Sequence, residues 1–230
     1  HLARTGGGTR ALEVLDGLGA LRDPMLERWR QMLRVISTWV LSTARGEELF
    51  AEYEAWARDR PEREVARGRA TLEGRVLYRR GRFADAARCH QRSAQLETTA
   101  GGRVVSFLNQ AAAWMEAFDL DAARVAAEAA RSEARTVRQT GTEAKAEQLL
   151  RSIAYRSCTE APADPQLVED VAETGIAYIE PLLALTEAAF AWRGGDFVLA
   201  RQLSARAAKI FAERSVPVAA LLCRSLWAAA

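Results

Sequence analysis

Three stretches of this chain, 72–87, 110–123 and 187–200, superimpose through a turn without a gap. Each carries a small residue on its first helix (Gly74, Ala111, Ala188) and a bulky one three positions later (Leu77, Trp114, and Trp192 beside Ala191). A turn follows, then an apolar residue (Phe83, Leu120, Phe197) and an alanine three further on (Ala86, Ala123, Ala200). The small residue lets two helices of a hairpin approach closely. The apolar residue is expected to plug the gap at the turn, largely buried, and the alanine to let the second helix pack on the next hairpin. Phe83 to Leu120 is a step of 37 and Leu120 to Phe197 one of 77, two such steps with a divergent unit between. Helix–turn–helix content at that period means stacked hairpins.

Composition agrees. Alanine is about a fifth of the chain, and Leu, Arg, Glu and Gln fill much of the rest; these residues lose least on entering a helix. β-Branched and aromatic residues never alternate over a strand's length. With 49% hydrophobic and 27% charged residues the chain can bury a core, which excludes disordered and collagen-like classes. Apolar spacing predicts helices over 10–19, 25–44, 47–59, 62–80, 84–97, 103–117, 120–138, 142–157, 165–174, 176–194, 197–213 and 217–229. Asp23-Pro24 reads as a helix start, and Gly81, Gly101-Gly102, Gly141 and Gly194-Gly195 as breaks. The expected fold is all-α: a single right-handed α-solenoid of about 12 helices over 1–230. It has a flexible leader at 1–9 and hairpins at approximately 25–59, 62–97, 103–138, 142–175 and 176–213. His1 in place of Met suggests a piece of a longer chain. So does 217–229, read as the first half of a further repeat whose apolar face (Ala219, Leu222, Leu226, Trp227) awaits a cover.

Two runs carry a family likeness: Gly74, Gly81, Phe83 and Ala86 in the spacing Gly-x6-Gly-x-Phe-x2-Ala, and Gly195-Asp196-Phe197 followed by Ala200. They resemble the tetratricopeptide repeat (TPR). The period exceeds that family's usual 34 residues, and the Pro that closes each unit is missing. The longer, Ala/Leu/Arg-rich units are similar to variant repeats of large bacterial regulators, such as STAND-class signalling ATPases and maltose-activator-like transcription factors. The resemblance implies a superhelix whose first helices line a concave groove. On that geometry Arg75, Tyr78 and Arg79 face into it, with Asn109 and Met115 from the next unit and Trp192 and Arg193 from a later one.

Little catalytic chemistry is on offer. His90 is the only internal histidine and reads as a packed structural residue. Cys89, Cys158 and Cys223 form no Cys-x-x-Cys pair, so neither a zinc site nor a redox dithiol is expected, and a reducing cytoplasm fits. Glu160, Asp164, Glu169, Asp170 and Glu173 lack a calcium-loop spacing and read as a solvated loop and helix start. Gly6-Gly7-Gly8-Thr9 lacks the Gly-Lys-Ser/Thr of a phosphate loop. No enzyme, metal or cofactor is expected, and no stretch is apolar enough for a membrane span.

The distinctive feature is basic. Eleven arginines against five acids lie between Arg58 and Arg92, although the whole chain carries only +2, which argues against nucleic acid. Two readings of this patch stand: a solvated face paired with Glu73 or Asp85, or a groove for an acidic, carboxylate-bearing peptide. In the second, guanidinium forks take carboxylates while Tyr, Met and Trp take side chains. The function expected is non-catalytic recognition of a protein or peptide within a larger bacterial signalling protein, whose other domains are further partners. The alternative is a scaffold that self-assembles through exposed solenoid ends.

Overall fold

The computed structural model describes residues 8–38, 43–174 and 179–213. They form eleven α-helices and no strand: α1 (Gly8–Gly17), α2 (Pro24–Thr38), α3 (Thr43–Ala57), α4 (Arg63–Arg79), α5 (Phe83–Leu96), α6 (Ala100–Glu116), α7 (Leu120–Thr136), α8 (Thr140–Arg156), α9 (Pro165–Glu173), α10 (Ile179–Arg193) and α11 (Phe197–Glu213). The all-α expectation stands, and the expected helix 217–229 lies outside the described residues. Gly101-Gly102 and Gly141 do not separate helices but sit in the first turns of α6 and α8. The Thr99 hydroxyl caps the Gly102 amide at 3.1 Å, which moves the start of α6 ahead of the glycines. Gly8, expected in the leader, already belongs to α1.

The chain divides into two compact units, His1–Ala117 and Phe118–Ala230. In the first, helices α1 to α6 pack each on the next, and α2 also touches α4. Asp23 caps α2, its carboxylate accepting from the amides of Met25 (2.8 Å) and Leu26 (3.0 Å). Met32, Val35, Leu49, Tyr53, Val65 and Leu72 form one core cluster; Leu77, Ala86, Ala87 and Ala113 form another. Polar threads cross this unit. A hydroxyl chain runs from Thr71 on α4 to Ser93 on α5 (2.7 Å) and on to Ser106 on α6 (3.2 Å). Buried Glu27 accepts from Arg30 at 2.7 and 2.9 Å and from the Leu21 amide. The Arg30 hydrogen bonds, above all, hold its carboxyl down to about 2.

In the second unit α7 packs on α8, α8 on α10, and both α9 and α11 on α10. The expected hairpin 142–175 comprises α8 and α9, and both of these lie against α10. A largely buried ion pair links α8 to α10. Arg151 of α8 donates to both carboxylate oxygens of Glu187 on α10 (2.6 and 2.5 Å), and Glu187 accepts the Asp164 amide as well (2.7 Å). Arg151 also lies 4.3 Å over the Phe190 ring. The buried face of α7 consists of alanines alone: Ala123, Ala126, Ala127, Ala130 and Ala134.

The small positions of the repeat behave as their size requires. Gly74, Ala111, Ala188, Ala86, Ala123 and Ala200 are all buried. The apolar residue past the turn does not: Phe83 and Leu120 are half-buried and Phe197 is 49% exposed. Each is the first residue of its helix, at the edge of the packed layer. The turns themselves share one backbone solution. After α4, α7, α8 and α10 the chain makes the same pair of reversed hydrogen bonds, as in Arg82 N–H to Leu77 C=O (2.9 Å) with Gly81 N–H to Tyr78 C=O (3.1 Å). The pivotal residues are Gly81 (φ 73°), Arg138 (φ 54°), Cys158 (φ 52°) and Gly195 (φ 83°). Only two of these four are glycine, the residue such a φ favours.

Candidate functional site

The far end of α4 places Arg75, Tyr78 and Arg79 three and four positions apart, hence on one face. One turn earlier Gly74 leaves that face without a side chain. The His90 ring of α5 fills the space: a Cβ on Gly74 would come within 2.8 Å of its Cε1 and 2.9 Å of its Nε2. Tyr78 is braced from behind by Phe83, edge to face at 5.1 Å. From α6 come Asn109 and Ala112, three apart and so on one face. Together Arg75, Tyr78, Arg79, His90, Asn109 and Ala112 line an open cavity of about 260 Å³ within the first unit.

Two of the lining residues carry a buried, unsatisfied nitrogen. His90 is 3% exposed, yet its Nδ1 has no hydrogen-bond partner; nor has the buried Nδ2 of Asn109. Only one other buried side-chain nitrogen or oxygen among the described residues shares that condition, Arg28 Nε. Burial first, and the neighbouring Arg75 charge second, push the imidazole down to about 4, so His90 is neutral at pH 7. No carboxylate lines the cavity.

Comparison of the chain with protein-family models, curated proteins and solved structures finds no match. The site is thus read from its own residues. Four of the seven groove residues expected from the sequence, Arg75, Tyr78, Arg79 and Asn109, do meet in one place. Met115 does not line the cavity; it is buried, because six residues beyond Asn109 amounts to about 240° of helical rotation. Trp192 and Arg193 belong to the other unit. Trp192 is exposed, while Arg193 donates to the Tyr155 and Thr159 carbonyls (3.2 and 2.8 Å) and lies over the Tyr155 and Phe190 rings. It ties the end of α10 to the C-terminus of α8.

The basic run also resolves into distinct roles. Arg67 pairs with Glu97, Arg69 with Glu54, Arg80 with Glu47, and Arg82 and Arg88 share Asp85. Arg63 caps α5 through the Gln95 and Leu96 carbonyls. Arg58, Arg60, Arg69 and Arg92 line a second, larger cavity of about 320 Å³, together with Glu73. Cys89 is half-buried beside the Leu77 cluster, and burial pushes its thiol up to about 11. No group of three or more potential metal ligands occurs among the described residues, and none of their helices is long and apolar enough to cross a membrane. His90, read from the sequence as a packed structural residue, is packed, and it also lines the cavity, which the sequence reading did not foresee. The signal was Gly74: a gap in the wall of α4 that the next helix had to fill.

Proposed function

We propose that this chain is a non-catalytic protein- or peptide-binding module of the TPR-like solenoid type, the partner-recognition or sensor part of a larger bacterial signalling or regulatory protein. One observation carries the reading: α4 and α6 bring Arg75, Tyr78, Arg79 and Asn109 to a single cavity. Guanidinium forks, a braced phenol ring and a carboxamide are the groups that grip an acidic peptide. A cavity wall without a carboxylate, and a histidine kept neutral, support binding rather than acid–base chemistry. The test is titration with a fluorescent, glutamate-rich peptide and a serine-substituted control. Saturable binding of the acidic peptide should weaken with salt and drop about tenfold or more in the Arg75→Ala/Arg79→Ala double variant, as loss of charge-assisted hydrogen bonds requires. Equal binding of both peptides, or an unaffected double variant, refutes the site.

A second reading, a scaffold that self-assembles, is favoured by α2. Met25, Leu26, Trp29 and Leu33 follow one another along it and all are exposed. Light scattering separates the two: concentration-dependent mass that Trp29→Ser abolishes supports assembly, and a constant monomer mass opposes it.

A further inference from the structure

We infer that the cavity between the end of α3, α4 and α5 is a binding site for a phosphoryl group, carried as a phosphate monoester dianion. The site is separate from the Arg75 cavity and does not depend on the acidic-peptide reading. Three parts of the first unit build it. α3 ends at Ala57, and Arg58 and Arg60 follow it closely; α4 contributes Arg69 and Glu73, four apart and so on one face, and α5 contributes Arg92. Ala57, Ala66 and Ala70 line the same space with methyl groups, and its volume is about 320 Å³. That admits a phosphoryl group together with a small carrier or the residue that bears it.

The four arginines fall into two pairs. Arg60 and Arg69 are anchored: Arg60 donates to the Trp56 carbonyl and lies 4.5 Å over the Trp56 ring, and Arg69 donates through Nε and Nη2 to one oxygen of Glu54 (3.1 and 2.9 Å). This pair supplies fixed charge. Arg58 and Arg92 supply the donors, for both are exposed and have no hydrogen-bond or ion-pair partner among the described residues. Elsewhere in the basic run Arg63, Arg67, Arg80, Arg82 and Arg88 each bond a carboxylate or a carbonyl. The charge then selects the ligand. Against four guanidiniums stand the carboxylates of Glu73, which lines the cavity, and of Glu54, which is bonded to Arg69. Two positive charges remain. A carboxylate balances one of them, whereas a phosphate monoester carries about −1.5 to −2 at pH 7 and offers three acceptor oxygens, enough for two guanidinium forks at once.

The phosphoryl group can come from a free phosphate ester or from a phosphorylated residue of a partner, and the test has an arm for each. Calorimetric titration of the protein uses N-acetyl-phosphoserine amide, N-acetyl-glutamate amide, and one short neutral peptide with either phosphoserine or serine at its centre. Arg58→Gln/Arg92→Gln repeats every arm. Arg124→Gln/Arg201→Gln, which removes the same charge from exposed positions of the second unit, is the control, and both are checked for native circular dichroism. The expected result is one saturable site for a phosphoserine ligand, with glutamate about tenfold weaker or more. Binding should fall about tenfold or more in Arg58→Gln/Arg92→Gln and not in the control. Binding of the ester without the peptide assigns a free phosphate ester, and the reverse a phosphorylated partner; both uphold the site. Failure of both phosphoserine ligands to bind, glutamate bound as tightly, or equal losses in the two double variants overturns it. Binding that survives in Arg58→Gln/Arg92→Gln but is lost in Arg75→Ala/Arg79→Ala also overturns it, and leaves the other cavity as the anion site.

Discussion

Acid should weaken the first unit through one residue, and the size of the effect can be worked out. His90 is held at about 4 in the folded chain against 6.5 for a free histidine, burial being the main cause and Arg75 the lesser. A depressed value means that the folded state resists the proton that the unfolded chain accepts. The associated stability is complete above pH 6.5 and is lost as pH falls through 4. Two and a half pH units at about 1.4 kcal/mol each amount to about 3 kcal/mol, a large share of the stability of a small domain. Between those limits the slope should approach one proton per molecule, about 1.4 kcal/mol per pH unit. Urea denaturation followed by circular dichroism at half-unit steps from pH 7.5 to 4 measures it, with His90→Gln as reference. The variant should lose that slope and keep the rest. Glu27 is separable, since its carboxyl, lowered from 4.5 to about 2, acts only below pH 4.5. If the wild-type and His90→Gln proteins lose stability in parallel between pH 7 and 4, the imidazole is not held neutral by its surroundings and the account of its burial fails.

Other expectations follow from particular contacts. Glu187→Ala should cost roughly 3–5 kcal/mol, because it strands the largely buried Arg151 and the Asp164 amide; joint replacement of Arg151 and Glu187 by methionine should recover much of the loss in thermal denaturation. Phe197→Ala should cost only about 1 kcal/mol, the part of its transfer energy that a half-exposed ring can contribute, so a chemical-denaturation loss above about 3 kcal/mol contradicts its position. Cys158→Gly should stabilise by about 1 kcal/mol, as it relieves a left-handed φ of 52° at an exposed position; a lower melting temperature for this variant counts against the turn geometry.

What the sequence revealed, and what it hid, follows from the range over which each constraint acts. The small positions were legible because close approach of two backbones excludes larger side chains wherever the helices later lie: Gly74, Ala111 and Ala188 are buried as their spacing required. Phe197 misled because hydrophobicity alone does not specify burial, and the first residue of a helix sits at the edge of the packed layer. Arg138 and Cys158 were illegible as turn residues, since two reversed hydrogen bonds stabilise a left-handed residue that composition gives no reason to expect. For the site, Arg75, Tyr78, Arg79 and Asn109 were found by helical register. Met115 was lost by the same register counted too far. His90 was legible as a packed residue; its place in the cavity wall was not, because the groove was sought on first helices alone and the glycine at 74 let the next helix reach through.

The all-alanine face of α7 has a consequence for variation. A methyl group removes little apolar surface from water, so five of them contribute about as much as two leucines. Truncation to glycine therefore removes little contact, whereas added methylenes must be fitted into a face whose buried positions all hold alanine. Cores rich in leucine and phenylalanine are injured mainly by loss of volume. Along α7 the asymmetry is inverted: Ala126→Val or Ala130→Leu is the damaging direction, and a saturation scan of this helix would trace a ceiling on side-chain size rather than a floor.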